Sequence, residues 1–572
     1  MPPPLAKAEA TCCHELAAAL QLPPLMAEIL FQRGFTNAEA AQSFLFPRLT
    51  DLPSPLLMKG MAEAAELIAH AAATQQQVII HGDYDVDGIS SAVLLADFLR
   101  KLGLETSCHL PNRLTDEYGL TMQSAALLAE QVTMPALLIT VDCGISSPEE
   151  VRYAKDLGFT VIVTDHHEPR SSAALPAADA VINPKQPGCA FPCKELAGAG
   201  VVFFLCMAVR RKMVEQGLWT EANMPNLRDA LDLAALGTVA DVMPLTGLNR
   251  ILVRAGLEVI AEQRRPGLRA LCERANLQEG AVSAENIAYQ LAPRINAAGR
   301  LGRPELAANL LLAQDAGKAA ELAADLEAAN LLRRDMEAAV LEQAIVQADQ
   351  QVAAKQGCVL ISGQDWHPGL IGIIAARMID RYQLPALVFT ADSGQEGMLK
   401  GSGRSVPGLN LHQVLEQCRE QIVRFGGHAM AAGLTVRQEE FEQFCAAFSR
   451  TVQEAQCAVP PQTVAIDAVL DERTNWHELT QSLQLMEPFG QANPEPVFLL
   501  RNVRLREVST LREHLRFAVP VNGGLIKGIG FFMADQLETA LEPIDLCLKV
   551  KLTSFRGRRR LEVHAVALRT AE

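Results

Sequence analysis

The sequence predicts an α/β protein: a parallel-sheet unit, long helices leading to a second α/β unit, and a small β-barrel at the C-terminus. Three observations predict it. Between about residues 75 and 185, short Val/Ile-rich runs ("QQQVII", "ALLITV", "FTVIVT", "DAVIN") alternate with alanine-rich segments of helix length. That is the pattern of a parallel sheet covered on both faces. From Pro304 to Gln356 the chain is rich in alanine and glutamate, with no proline after the first residue and one glycine, which predicts long helices. From about residue 460, short β-like runs recur ("PVFLLRNVRL", "LRFAVPV", "LIKGIGF", "LCLKVKLTSF", "RRLEVHAVAL"), the spacing of a small barrel.

At 572 residues the chain exceeds one compact core and is expected to hold three or four domains. Hydrophobic residues at 49% and charged residues at 20% exclude a disordered or collagen-like chain. The longest apolar run, "GAGVVFFLCMAV" (198–209), is shorter than the roughly 20 residues that span a bilayer and reads as a buried helix. "MPPPLAKAEATCCHEL" lacks the pattern of a secretory signal. Thirteen scattered cysteines without a CxxC pair fit reduced thiols; Cys189 and Cys193 come nearest to a ligand pair, with no second pair beside them. A cytoplasmic protein without a membrane partner is expected. The net charge of -15 hides an asymmetry, because residues 499–572 carry 13 Lys+Arg against 8 Asp+Glu. A locally basic tail suits phosphate backbones.

The predicted strands of the first unit end in similar chemistry. After the first come His81, Asp83, Asp85 and Asp87; after the second, Asp142 in "TVDCGIS"; after the third, Asp165, His166 and His167 in "TDHHEP". In a parallel sheet these ends share one edge, where ligands gather. Carboxylates collected there repel one another unless cations neutralise them. Oxygen and imidazole donors suit Mn²⁺ or Mg²⁺, and two ions about 3.5–4 Å apart would serve phosphoester hydrolysis. Any one of these aspartates alone would read as a strand-end cap or turn former.

"DYDVDG", "VDCG", "TDHH" and the later "GTVADVMPL" resemble the successive motifs of the DHH phosphoesterase superfamily, in the version found in RecJ-type single-stranded-DNA exonucleases. "PNRLTDEYGL", "APRINAAGRLG", "GSGRS", "GGHAMAAGL" and "PFGQANPEPVF" extend the resemblance over nearly the whole chain in the expected order. The resemblance implies a two-manganese centre, with Mg²⁺ as the alternative ion. His81 and Asp85 would hold one ion, Asp87, His166 and Asp241 the other, and Asp142 would bridge them. Asp83 and His167 would sit close by, His167 against the scissile phosphate. Without the resemblance, Asp241 reads as a helix-capping aspartate before Pro244.

In "GSGRS", Gly401, Ser402, Gly403, Arg404 and Ser405 offer backbone amides, a hydroxyl and a guanidinium to a terminal phosphate, although any Gly-Ser turn would look similar. Gly426, Gly427 and His428 would admit a nucleotide backbone, or a tight helix–strand contact. By resemblance to the DHH-associated domain these two blocks hold the substrate strand, the first recognising its 5′ phosphate, joined by Arg294 or Arg300. Arg113 and Tyr118 would grip the strand near the metals by phosphate pairing and base stacking, although "DEYG" departs from the "GYG" associated with the family. In the predicted barrel, of oligonucleotide-binding (OB) type, "RNVRLREVSTLREHLRF" and "FRGRRRLEV" interleave basic and apolar residues, as a single-strand groove requires.

The expected organisation is an N-terminal extension (1–50), a DHH catalytic domain (51–265), a helical connector (266–356), a DHH-associated (DHHA1) substrate domain (357–456) and an OB domain (457–572). The expected activity is two-metal hydrolysis of single-stranded DNA from 5′ to 3′, releasing 5′-mononucleotides in recombination and in mismatch or excision repair. The expected molecule is a monomer, with a helicase and a single-strand-binding protein as candidate partners. Two rivals remain: a nano-RNase or cyclic-dinucleotide phosphodiesterase, which would lack the barrel, and an inactive strand-binding replication scaffold, which would lack the ligands.

Overall fold

The computed structural model describes residues 7–114, 116, 119–169, 175–220, 222–277, 280, 282–392, 394–455, 463–471, 474–555 and 558–571. The first β/α alternation gives a five-stranded parallel sheet. β1 (Val78–His81), β2 (Thr106–His109), β3 (Ala136–Val141), β4 (Phe159–Thr164) and β5 (Ala180–Ile182) lie in the order β2-β1-β3-β4-β5. The order reverses between β1 and β3, so the carboxyl ends of these two strands border a crevice. β2 carries "TSCH" and no apolar run; it is a half-buried edge strand, a position that needs none.

Two helices cover the sheet beside that crevice and a third packs on them. α1 (Val86–Lys101) packs on α2 (Gly198–Glu215) and α3 (Leu231–Ala240), and the apolar run at 198–209 is the buried body of α2. α3 is buried from Leu231 to Val239, so it has no polar face to show water. The chain continues through α4 (Ala292–Arg300) into α5 (Ala316–Ala353), 38 residues long and therefore about 57 Å. Ala319, Ala323 and Leu326 of α5 belong to the core of the first lobe, whereas Val340, Ala344 and Ala348 belong to a core of the second. One helix thus fixes the spacing of both lobes.

The second sheet runs β6-β7-β8-β10-β9, from β6 (Val359–Gly363), β7 (Ala386–Ala391), β8 (Met398–Arg404), β9 (Arg424–Gly427) and β10 (Ala431–Arg437). Only β6 and β7 are parallel, and α6 (Ile371–Tyr382) packs on β7 and β8. The third, mostly antiparallel sheet has seven strands in the order β11-β12-β16-β17-β15-β14-β13. They are β11 (Ala468–Leu470), β12 (Phe498–Val503), β13 (Arg506–Leu511), β14 (His514–Val521), β15 (Gly524–Gly530), β16 (Ile544–Phe555) and β17 (Arg558–Thr570). Its core includes Leu16, Ile29, Leu30, Phe44 and Leu45, so the N-terminal segment completes the C-terminal lobe. Among the described residues, no helix is long and apolar enough to cross a membrane.

Arg250 ties these parts together. Its guanidinium is buried and donates to the carbonyls of Phe44 (2.6 Å), Met486 (2.9 Å) and Leu485 (3.0 Å), over the Phe44 ring at 3.9 Å. Burial, with Arg254 and Arg33 nearby, lowers its pKa to about 9. Carbonyls from two distant segments therefore converge on one cation of the catalytic lobe. Arg250→Met takes this donor from the Phe44 and Leu485 carbonyls, at a cost of about 1–3 kcal/mol each, whereas the Met486 carbonyl keeps the Asn493 side-chain amide. The first thermal unfolding transition is expected to fall by roughly 6–12 °C; an unchanged transition would show the contacts to be neutral.

Candidate metal centre and substrate cleft

Asp83, Asp85 and Asp87 follow β1 and are held by backbone donors. Asp83 accepts from the Tyr84 amide at 2.7 Å. Asp85 caps α1, accepting from the amides of Asp87 (2.9 Å) and Gly88 (3.0 Å) at the positive end of that helix. Asp87 is buried and accepts from the amides of Gly198 (2.6 Å) and Ala199 (2.9 Å), which open α2. Asp142 follows β3 with φ of 60°, a left-handed conformation unusual outside glycine that marks a constrained site. Two glycines admit these carboxylates. A Cβ at Gly198 would lie 2.8 Å from the Asp142 Cβ, and one at Gly237 would lie 2.3 Å from Asp87 Oδ1.

The imidazoles close the site. His166 Nε2 lies 3.0 Å from Asp142 Oδ1, 3.6 Å from Asp241 Oδ2 and 3.9 Å from Asp87 Oδ2. Asp241 reaches this point because it is the residue on which α3 ends. Donor atoms within 4.8 Å of one another form three overlapping groups: Asp87, His166 and Asp241; Asp83, Asp85 and Asp142; and Asp142, His166 and His167. Asp142 belongs to two of them. Asp83 thus stands within a ligand group, whereas His81 lies outside all three. His81 is fully buried, its Nε2 has no hydrogen-bond partner, and its Nδ1 lies 3.1 Å from His109 Nδ1.

Burial sets the electrostatics. It raises Asp83, Asp87 and Asp142 well above the usual carboxylate range, helped in each case by a neighbouring aspartate, and raises Asp241 to about 7. It lowers His81 and His166 to about 4. At His167 burial is overcome by Asp165, whose Oδ1 lies 2.8 Å from Nδ1, and the pKa rises to about 9. Asp165 also accepts from the amides of Ile145, His166 and His167, so it orients the DHH turn. Burial pushes the Cys143 thiol up as well, leaving oxygen and imidazole donors and no thiolate. That donor set fits divalent cations such as Mn²⁺ or Mg²⁺.

A cleft of about 370 Å³ opens beside the centre, lined by Tyr84, Arg113, Gly369, Gly372, Lys400 and Ser402 among others. Arg113 stands 5.0 Å over the Tyr84 ring. Arg300 donates to the Gly369 carbonyl at 2.8 Å, and Arg404 reaches toward Gly372 at the start of α6. Burial and the other arginines lower Arg300 to about 10, and burial with Arg113 lowers Arg404. None of Arg113, Arg300 and Arg404 forms an ion pair among the described residues. Such a cluster is an anion site.

Several expectations need correction. "GSGRS" is not a turn: Gly401–Arg404 lie inside β8, their neighbours being β7 and β10. Gly403 faces the core, where a Cβ would lie 2.4 Å from Leu387, and Gly401 meets Phe389 in the same way. Their smallness serves packing, and the alternation of the strand turns Ser402 and Arg404 to the other face. Arg294 pairs with Glu327 and donates to the Gln290 carbonyl, leaving Arg300 to join the cleft. Gly427 packs against Ala431 and Ala432 in the β9–β10 hairpin, with φ of 147°, and His428 is exposed at its tip. Tyr118 lies outside the described residues. Sequence reasoning passed over Tyr84, Lys400, Arg424 and His109; only Tyr84, inside "DYDVDG", carried a signal.

A parallel sheet whose strand ends gather aspartates and histidines, followed by a smaller mixed sheet across a cationic cleft, defines a DHH-type phosphoesterase. The models "DHH family, N-terminal domain", "DHHA1 domain" and "RecJ OB domain" match residues 77–238, 350–454 and 466–567. The single-stranded-DNA-specific exonuclease RecJ of Escherichia coli is 37% identical, over 95% of both chains. That of Bacillus subtilis is 35% identical over 95% of this chain and 68% of its own. The crystal structure of RecJ from Thermus thermophilus in complex with Mn²⁺ superposes with a TM-score of 0.82 at 32% identity, covering 98% of this chain and 78% of that one. The chain belongs to the RecJ family of single-stranded-DNA-specific exonucleases.

The shifts predict how metal-free protein responds to pH. Asp83, Asp87, Asp142, Asp241 and His167 have raised pKa values, so the folded chain holds protons that the unfolded chain has released, and stability falls as pH climbs through the folded values. The lowered His81 and His166 act oppositely, but only below their ordinary value of 6.5. In EDTA the melting temperature is therefore expected to fall between about pH 6.5 and pH 8, and a saturating divalent cation to abolish the decline. A melting temperature that climbs over this interval in EDTA would contradict the assignment.

Proposed function

We propose that the chain degrades single-stranded DNA from its 5′ end, one nucleotide at a time, with His81, Asp83, Asp85, Asp87, Asp142, His166 and Asp241 as the cage for two Mn²⁺ or Mg²⁺ ions. One observation carries the reading: Tyr84, seated between Asp83 and Asp85 of the cage, also lines the cleft beside the arginine cluster, so the anion site adjoins the cage. A terminal phosphate carries a charge of about −1.5 to −2, against about −1 for an internal diester. Arg113, Arg300, Arg404 and Ser402 therefore favour a strand end over its interior. When bound, the ions acidify a water and neutralise charge on the phosphoryl group. His167, kept cationic by Asp165 and with its side chain 42% exposed, is placed to donate to the scissile phosphate.

Beyond Asp241 a second cleft of about 700 Å³, lined by Val242, Tyr289, Gln491, Lys549 and Lys551, leads toward the third sheet. The sheet register sets Arg516, Ile529, His564 and Lys549 side by side, with exposed Phe531 and Phe532 close to His514 and His564. Cations and rings on one face suit the 3′ part of the strand. The free state of every described cysteine supports a cytoplasmic setting, where we place the enzyme as a monomer in DNA recombination and repair, with a helicase and a single-strand-binding protein as partners to test. The OB domain disfavours the dinucleotide-hydrolase reading, and the complete set of acidic and histidine ligands disfavours the inactive scaffold.

Single strands labelled at the 5′ end are expected to lose label as mononucleotide at once in Mn²⁺, while 3′-labelled strands shorten gradually; the reverse order would overturn the polarity. Asp142→Ala is expected to lower cleavage by at least about 10³-fold with strand affinity retained, and wild-type cleavage would refute its shared position. Arg404→Ala should raise KM for 5′-phosphorylated strands roughly tenfold or more and leave 5′-hydroxyl strands nearly unchanged. Equal effects on both would remove Arg404 from end recognition.

A further inference from the structure

His81 and His109 stand opposite each other on β1 and β2. Their rings are 15° from parallel with centroids 5.1 Å apart, and Nδ1 faces Nδ1 at 3.1 Å. Two ring nitrogens at this distance share one proton: with none, two lone pairs collide, and with two, two N–H groups do. His81 is fully buried, and its Nε2 has no hydrogen-bond partner. A histidine gives a cation the nitrogen that bears no proton, and its other nitrogen is fixed by the hydrogen bond it makes. For His81 that other nitrogen is Nδ1, and the contact described for it is His109.

We propose that His109 is a positioning residue that selects the metal-ligating tautomer of His81. His81 Nδ1–H donates to the unprotonated Nδ1 of His109, His109 keeps its own proton on Nε2, and the His81 Nε2 lone pair is left for a divalent cation. Without His109, nothing selects against moving the His81 proton to Nε2, where it would cease to be a ligand. The Gly119 backbone carbonyl also faces the His81 ring; the second imidazole differs from it in that it can accept only in one of its own tautomers. This rests on the proposed role of His81 as a ligand, which the test checks separately.

The test uses the full chain, with Mn²⁺ binding followed by calorimetry and melting in EDTA as a control for folding. His109→Phe keeps a flat ring on a half-buried edge strand and removes the acceptor; it is expected to weaken one of two Mn²⁺ ions by roughly 10–100-fold. His109→Asn restores an acceptor and should recover most of that loss. Wild-type affinity in His109→Phe, or equal loss in the Phe and Asn variants, would overturn the proposal. His81→Ala separates the two readings: if it keeps both ions at full affinity, the ligand role of His81 fails first. Nitrogen NMR of ¹⁵N-histidine-labelled, metal-free protein provides a readout that needs no variant. Protonation of His81 at Nδ1 is expected, and a proton on Nε2 would overturn the assignment.

Discussion

Five buried or half-buried aspartates within reach of one another cannot all be charged in the folded chain unless cations lie between them. Asp83, Asp87 and Asp142 are each raised by burial and then by a neighbouring aspartate. Two unit charges 4 Å apart repel by about 4 kcal/mol even at an effective dielectric constant of 20. Folding therefore delivers a high-energy anionic cage, and divalent cations convert that liability into binding energy.

The rest of the architecture keeps the cage from relaxing. Backbone amides at the starts of α1 and α2 hold Asp85 and Asp87, Gly198 and Gly237 let two helices approach within contact, and Asp165 locks the His167 imidazole. α5 is anchored in the cores of both lobes, so the distance from cage to arginine cluster is set by packing rather than by a flexible linker. Arg250 does the same for the third lobe and draws the N-terminal segment with it. Geometry at the reacting centre is thereby inherited from contacts far from it.

The parts of this design legible in the sequence were those with local signatures. Apolar runs ending in Asp and His announced β1, β3 and β4 and the ligands behind them, and the proline-free alanine-rich stretch announced α5. What escaped had no local signature. β2 is an edge strand whose "TSCH" needs no apolar pattern, so His109 went unnoticed. Asp241 ends an apolar helix, where a cap and a ligand look alike. Gly401 and Gly403 suggested a phosphate turn because glycine shows only that a side chain is excluded; here the excluding atoms are Leu387 and Phe389. Arg294 and Arg300 share one helix and one composition, and only Glu327 on α5 distinguishes them.

Diffraction at the manganese edge from crystals of the full chain soaked in Mn²⁺ would test the cage most directly. The account predicts two anomalous peaks, one on each side of the Asp142 carboxylate, bounded by His81, Asp83 and Asp85 on one flank and by Asp87, His166 and Asp241 on the other. A map with these side chains in place and no anomalous density among them would contradict it.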